Sequence, residues 1–215
     1  EWRKLQGRMS VRYTSDDRQV SVSGRRHLSW YVAAAVIAVL LLGSGIYGVQ
    51  QYVYTRMSEN IFALKTGMGE KSRLVLADGT TVYLNAGSSL QYSGNFNTKN
   101  REVTLFGEAY FEVAKDKGHR FIVKTDGLDV EALGTSFNIK AYQDDNEVIA
   151  TLFTGSIRAT AKEHSVILSP DQQVCFDRNS KALKVENPEN ATYASMWRNN
   201  ELAFNGETLY DIAVR

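Results

Sequence analysis

Residues 30–49 read WYVAAAVIAVLLLGSGIYGV, a run without a charge or a proline. At about 1.5 Å of rise per residue, a helix of this length spans about 30 Å, the thickness of the hydrocarbon core of a bilayer. A buried helix of a soluble protein normally shows one polar face, and this run shows none. A signal peptide is the main alternative, but its apolar region is shorter and precedes a small-residue cleavage site. The sequence therefore predicts one transmembrane helix from Trp30 to Val49.

The flanks of this helix predict its orientation. The 29 residues before it carry seven bases and three acids, a net charge of 7 − 3 = +4, whereas residues 50–215 carry 18 bases and 21 acids, a net charge of −3. Because cytoplasmic segments carry the excess of Lys and Arg, residues 1–29 are expected inside and the remainder outside. The outer part has no clustered basic face, so nucleic acid is not an expected partner.

The chain divides by composition into five parts. Residues 1–29 are interpreted as a cytoplasmic segment, the end of a truncated region because the chain starts at a Glu rather than a Met. The helix (30–49) leads into a linker over 50–66, whose end, around Ile61 to Leu64, has the pattern of a first strand. Residues 67–186 alternate apolar and polar, and residues 187–215 begin another domain that the chain cuts short.

The region 67–186 has the period of two that is typical of β-strands, with tight-turn signals between runs. Asp78-Gly79 and Asp126-Gly127 each lie between alternating apolar residues, and such a pair indicates a hairpin because glycine tolerates positive φ. One place breaks the alternation: apolar residues lie at even positions up to Ala132 and at odd positions from Leu133 onward. A bulge or sharp bend is therefore expected between Ala132 and Thr135.

Beyond residue 186 the pattern changes to a short strand, Leu202–Phe204, followed by helical spacing from Glu207. The predicted fold class is mainly β: a single transmembrane helix, an all-β domain of many short strands and the start of a small α/β domain. The single Cys175 excludes an internal disulfide and is interpreted as a packed small side chain. The three histidines lack ligand spacing, so no metal and no cofactor are expected.

Four segments resemble the FecR family of transmembrane anti-sigma factors. They are LVLADGTTVYLN (74–85), REVTLFGEAYFEV (101–113), LGTSFN with AY (133–138 and 141–142) and LFTGSI (152–157), in the order that the family shows. The resemblance covers about residues 67–177. It departs where Ala77 and Arg120 replace a common proline and where Asp171 replaces a common glycine.

The resemblance implies a signal relay across the inner membrane, with the outer domain in the periplasm. Such proteins hold an extracytoplasmic-function sigma factor on the cytoplasmic side and bind the signalling domain of a TonB-dependent outer-membrane transporter on the other. Because a single helix transmits little by tilting, regulated proteolysis by membrane proteases is the expected switch. The chain is not expected to be an enzyme.

The motif residues of this resemblance are interpreted as structural: Asp78, Gly79, Asn85, Arg101, Gly107, Glu108, Phe111 and Phe137. Arg101 is expected to pair with Glu108 across a hairpin. Glu108 and Glu112 lie four apart on one strand face, about 13 Å at ~3.3 Å per residue, which is too far for acid–base work on one substrate atom.

Two interpretations of Gly134-Thr135 stay open. Some relatives cleave themselves at a Gly-Thr bond in this motif, by attack of the threonine hydroxyl on the glycine carbonyl and hydrolysis of the resulting ester. Alternatively, Gly134 only makes the bend and Thr135 continues the strand.

Two other function classes are open at this point. The chain is alternatively a membrane-anchored binding or scaffolding module for a glycan or an envelope protein. An anchored hydrolase is disfavoured, because the sequence has no nucleophile elbow, metal motif or facing carboxylates.

Overall fold

The structure, a computed structural model, describes residues 25–98 and 101–201. Its N-terminal element is a helix, α1 (Arg25–Glu59). The part of α1 from Trp30 to Thr55 has the length and composition to cross a membrane, and the side chains described in it are exposed or only partly covered. At about 1.5 Å per residue this part is about 39 Å long, enough to reach both headgroup regions.

The structure differs from the predicted linker over 50–66. The helix continues through residues 50–59 and a strand begins at Ile61. The physical reason is that QQYVYTRMSE contains neither glycine nor proline, so nothing in the backbone stops the helix. The first strand around Ile61 to Leu64 is confirmed.

The β domain is built from thirteen strands within the described residues. They are β1 (Ile61–Lys65), β2 (Ser72–Val75), β3 (Thr81–Leu84), β4 (Ser89–Ser93), β5 (Arg101–Glu112), β6 (Phe121–Lys124), β7 (Asp129–Ala132), β8 (Ser136–Ala141), β9 (Glu147–Thr154), β10 (Ile157–Ala161), β11 (His164–Leu168), β12 (Gln173–Asp177) and β13 (Leu183–Glu186). A 3₁₀ helix, Ala191–Asn199, follows β13. The mainly β prediction is therefore confirmed.

The long strand β5 belongs to two sheets. Its first half lies between β4 and β6 in a first sheet of order β1-β4-β5-β6-β7-β10-β11. Its second half lies between β3 and β8 in a second sheet of order β2-β3-β5-β8-β9-β12-β13. Among the described strands, all pairings are antiparallel except that of β5 with β6, which is parallel and therefore requires the loop over 113–120 to bring the chain back.

The core lies between the two sheets. Phe111 and Phe137 of the second sheet stack with ring centroids 5.1 Å apart, and Phe111 lies 5.8 Å from Phe121 of the first sheet. All three side chains are fully buried. Aromatic rings of this size contribute large apolar areas, so this trio fixes one sheet against the other.

Both predicted hairpin turns are present. Gly79 has φ +86° and joins β2 to β3, and Gly127 has φ +106° and joins β6 to β7. A side chain at Gly127 would also collide with the Phe176 ring, since its Cβ would lie 2.3 Å from Cε1. Asp171 has φ +65°, which accounts for the glycine that is common at this position in the resembling family.

The predicted break between Ala132 and Thr135 is a crossing between sheets. The strand β7 belongs to the first sheet and β8 to the second, so the parity of the buried positions changes where the chain passes between them. Gly134 has φ +140° within this crossing. A register shift follows in the β8–β9 pairing, between Ser136 and Phe137.

The structure does not test the predicted strand and helix at the C-terminal end. The predicted strand Leu202–Phe204 and the helix from Glu207 lie outside the described residues, as does most of the predicted cytoplasmic segment.

Cys175 is buried, as the sequence predicts. Burial, and then the negative charge of Glu186, raise the pKa of the Cys175 thiol to about 12, so the thiol stays protonated.

Candidate functional site: two buried charges and a glycine crossing

The first buried charge is Arg101, at the start of β5. Its side chain is fully buried, and its Nη1 donates to the Asp78 carboxylate at 3.0 Å, where the Asp78 side chain is 4% exposed. The remaining donors reach carbonyl oxygens of the 113–120 loop, those of Ala114 (2.9 Å), Asp116 (3.4 Å) and His119 (2.6 and 3.1 Å). Since every carbonyl belongs to this one loop, Arg101 holds the connection that makes the parallel β5–β6 pairing possible.

Asp78 is itself held by the turn that it begins. Its carboxylate accepts the backbone N–H of Thr80 at 2.9 Å and the Thr80 hydroxyl at 2.7 Å. Gly79 then continues the turn at positive φ, with its N–H on the Leu76 carbonyl at 2.9 Å. The turn therefore presents a preorganised carboxylate to Arg101.

The predicted pair between Arg101 and Glu108 is wrong. The hairpin that it required does not exist, because residues 101–112 form one continuous strand. Seven residues apart, the two backbone positions are separated by about 23 Å at ~3.3 Å per residue. Arg101 pairs with Asp78 instead, and Glu108 lies in the second sheet.

The second buried charge is Glu108, which is 9% exposed. Its carboxylate accepts one amide N–H from Asn85 at 2.7 Å and one from Asn138 at 2.8 Å. Burial raises the pKa of Glu108 above the ordinary glutamate value, while these two hydrogen bonds and the charge of Lys140 act in the opposite direction. Glu108 is thus a carboxylate satisfied by amides rather than by a hydrogen-bonded cation.

Gly107 permits a close approach beside Glu108. It has φ +90°, and a Cβ there would lie 2.3 Å from the Ser88 Oγ and 2.8 Å from the Ser88 Cα. The Ser88 hydroxyl uses this space to accept the backbone N–H of Glu108 at 2.9 Å and to donate to the Ala86 carbonyl at 3.1 Å. A side chain at position 107 would displace this hydroxyl.

Gly134 and Thr135 lie in the crossing from β7 to β8. A Cβ at Gly134 would lie 2.6 Å from the Lys115 Cγ and 3.0 Å from its Cα, so only glycine fits. Thr135 is 5% exposed and its carbonyl accepts the Val113 N–H at 3.0 Å. Its hydroxyl is buried without a hydrogen-bond partner among the described residues, and a buried hydroxyl in that state is uncommon in native structures.

The structure adds residues that the sequence reasoning missed. The Trp197 indole N–H donates to the Asn138 side-chain oxygen at 3.3 Å. The Arg198 guanidinium lies 3.5 Å from the centre of the Tyr110 ring, and its Nη1 lies 3.3 Å from a Glu112 carboxylate oxygen. The signal available in the sequence was the Trp197-Arg198 pair, two side chains that commonly anchor contacts.

The buried side chains of Arg101, Glu108 and Asn138 are bound by other side chains, by the backbone and by Trp197, whereas the Thr135 hydroxyl has no partner among the described residues. They lie in a β domain that follows a long apolar helix.

Comparisons with known proteins identify the family. The model of the family described as "FecR protein" matches residues 62–158. Two crystal structures of chains assigned as anti-sigma factors, both from Parabacteroides distasonis ATCC 8503, are similar to this chain. One shares 33% identity with a TM-score of 0.66, covering 71% of this chain and 71% of that one. The other shares 34% identity with a TM-score of 0.65, covering 70% and 71%. No curated protein matches. The chain belongs to the FecR family.

Proposed function

We propose that this chain is a single-pass inner-membrane anti-sigma factor. It relays the loading state of a TonB-dependent outer-membrane transporter to an extracytoplasmic-function sigma factor, and membrane proteases act on it to release that factor. The observation that carries the proposal is family membership, together with similarity to two chains assigned as anti-sigma factors. The apolar helix before the β domain supports the anchored part of the proposal.

The proposed topology places residues 1–29 in the cytoplasm and the β domain in the periplasm. The support is the charge of +4 before the helix against −3 after it. An alkaline phosphatase fused after Arg215 is expected to be active, and a fluorescent protein that folds only in the cytoplasm is expected to be dark at the same position. The reverse pair of results would contradict this orientation.

The sigma-factor partner is tested by co-purification. The full-length protein in detergent micelles is expected to retain a sigma factor encoded in the neighbouring reading frame. A peptide of residues 1–29 alone is expected to bind it at most weakly, because the peptide offers little apolar area at ~25 cal/mol per Å² to offset its ordering. Failure of the full-length protein to retain any such sigma factor would contradict the proposed function.

We further propose that Gly134-Thr135 is a self-cleavage site, on the strength of the unpartnered Thr135 hydroxyl next to a glycine at φ +140°. The Thr135 oxygen forms a bond to the Gly134 carbonyl carbon, the amide C–N bond breaks, and the hydroxyl proton passes to the new amine. Water then hydrolyses the ester to a Gly134 carboxylate and restores the threonine hydroxyl. Glycine suits the step because no Cβ shields its carbonyl.

Fragment masses of the purified chain test the cleavage. The expected result is a split after Gly134 that Thr135→Ala abolishes and Thr135→Ser retains. The halves should stay together, because β5 pairs with β8 and β7 pairs with β10 across the cut. A wild-type chain that stays intact on prolonged incubation would leave Gly134 as the residue of the crossing and Thr135 as a strand residue.

A further inference from the structure

Several outward-facing side chains of the second sheet are buried although they point away from the core. Tyr110 is 6% exposed, Asn138 2% and Thr151 1%. They form one row across the sheet, since Tyr110 pairs with Asn138 and Asn138 with Thr151. Tyr83 extends the row as the partner of Tyr110 on β3. A polar row of this kind is normally solvated in an antiparallel sheet, so something covers it.

The cover is the segment after β13, which we call the strap (residues 190–200). The Asn190 side chain accepts the Thr192 N–H at 3.0 Å at its start, and Asn200 ends it at φ +61° with its N–H on the Trp197 carbonyl at 3.2 Å. Both ends are therefore closed by groups within the strap. The strap does not pair with any of the described strands, and it contacts the row through the Trp197 and Arg198 side chains.

Trp197 anchors the strap to the buried Glu108. The Asn138 side chain receives the Trp197 N–H on its oxygen and gives its own N–H to the Glu108 carboxylate. Because an amide has one accepting and one donating side, the carboxylate decides which side faces Trp197. Glu108 is therefore a positioning residue for the anchor.

Two cations complete the contact. The Arg198 guanidinium lies over the Tyr110 ring at 3.5 Å and near the Tyr83 ring at 5.3 Å, with a Glu112 oxygen at 3.3 Å. Lys71, next to β2, donates to the Trp197 carbonyl and to the Asn200 side chain, the latter at 2.9 Å. These contacts are partly exposed, so they can open without any loss of sheet pairing.

We propose that the strap is a releasable latch on the second sheet, held in place by the Asn85–Glu108–Asn138–Trp197 hydrogen-bond chain. Release uncovers the Tyr83 and Tyr110 rings, over which the Arg198 guanidinium lies. The bound and released states of the strap do not depend on the proposed function. Only their assignment to signal relay rests on it.

The test uses hydrogen exchange of the full chain in detergent micelles. Glu108→Gln is expected to raise exchange in residues 191–200 about tenfold, because the new N–H meets the amide donor of Asn138 or Asn85. Asn138→Asp is expected to do the same, since it sets two carboxylates side by side. The double variant Glu108→Gln with Asn138→Asp restores the hydrogen-bond chain with reversed polarity. The introduced glutamine amide donates to the introduced aspartate carboxylate, and that carboxylate still accepts the Trp197 N–H.

Recovery of protection in the double variant, with β5 and β6 unchanged throughout, supports the latch. A purely structural role for Glu108 predicts no recovery, and a double variant as open as either single one would overturn the proposal. Arg198→Gln is expected to open the strap, whereas the matched control Arg158→Gln, on the first sheet, is not. The hydrogen-exchange measurements need no sigma factor. A negative result for the latch can therefore be told apart from a failure of the full-length protein to retain a sigma factor.

Discussion

Arg101 and Glu108 lie on the same strand and are both charges withdrawn from water, but their surroundings differ. Arg101 meets a carboxylate of opposite charge and the carbonyls of one loop, so its charge is matched where it lies. Glu108 meets two neutral amides, and its pKa is raised by burial. Arg101 therefore holds the 113–120 loop in place. Glu108 is a buried carboxylate without a hydrogen-bonded cation, and it is connected to the strap through Asn138. A charge without a matching countercharge is the easier one for a second event to influence.

The largest effect is expected at the matched charge. Arg101→Met leaves the Asp78 carboxylate buried without its cation, so the free energy of unfolding should fall by about 3–5 kcal/mol. Urea unfolding of the full chain in detergent micelles measures it. The control is Arg120→Met, whose side chain is 62% exposed beside Glu131 and should cost about 0–1 kcal/mol. Equal losses of unfolding free energy for the two variants would show that the buried Arg101 pair stabilises the fold no more than an exposed pair does.

A second variant probes the backbone beside the unmatched charge. Gly107→Ala combines positive φ with a collision with Ser88, so we expect a loss of at least about 2 kcal/mol of unfolding free energy. Gly69→Ala is the matched control: its φ is +74° and nothing lies within 4 Å of the added Cβ, so it should cost only about 1–2 kcal/mol. The same urea unfolding compares the two, and identical losses would show that the Ser88 contact is unimportant.

A pH series separates the two charges directly. Because the folded-state pKa of Glu108 is raised, the folded state binds its proton more tightly, and the stability that this contributes is lost as pH rises from the ordinary glutamate pKa through the raised one. Lys140 and Asp145 are the charged groups that also act on it. Relative to Glu108→Gln, the wild type is expected to lose stability across that window. A difference that stays flat with pH would contradict the raised pKa.

The smallest effect is expected for a charge pair that remains in water. Lys124 and Glu102 lie 2.9 Å apart with side chains 48% and 38% exposed. Lys124→Gln should change the free energy of unfolding by less than about 1 kcal/mol. A small loss would show that the stabilising effect of Arg101 comes from burial and not merely from the presence of an ion pair. A loss as large as that of Arg101→Met would show the opposite.

The sequence predicted the features whose cause is local. The apolar run of 30–49, the two Asp-Gly turns and the parity change around Gly134 each follow from a few adjacent residues, and the structure contains all of them. The continuation of the helix to Glu59 was missed because residues 50–59 are mostly polar, and the apolar signal for a membrane span ends before them. The partner of Arg101 was missed because a pair was sought nearby in the sequence, whereas Asp78 lies 23 residues away.

The contact of Trp197 with Asn138 spans 59 residues, and no local pattern points to it. The sequence offered only the Trp197-Arg198 pair, and the pairing of β5 with β8 is what places the buried Asn138 amide within reach of Trp197. The positions of the site residues therefore depend on topology, which one sequence specifies weakly.

The strand shared by both sheets has a consequence for a chain under mechanical tension. A pull on the C-terminal side is met first by the strap, then by β13, which pairs only with β12 within the described residues. A pull on the N-terminal side reaches β1, which pairs only with β4 there. Each such pull is expected to remove an outer strand first, because β5 has neighbours on both sides in both sheets. Tension on the domain is therefore expected to open it from its outer strands toward β5.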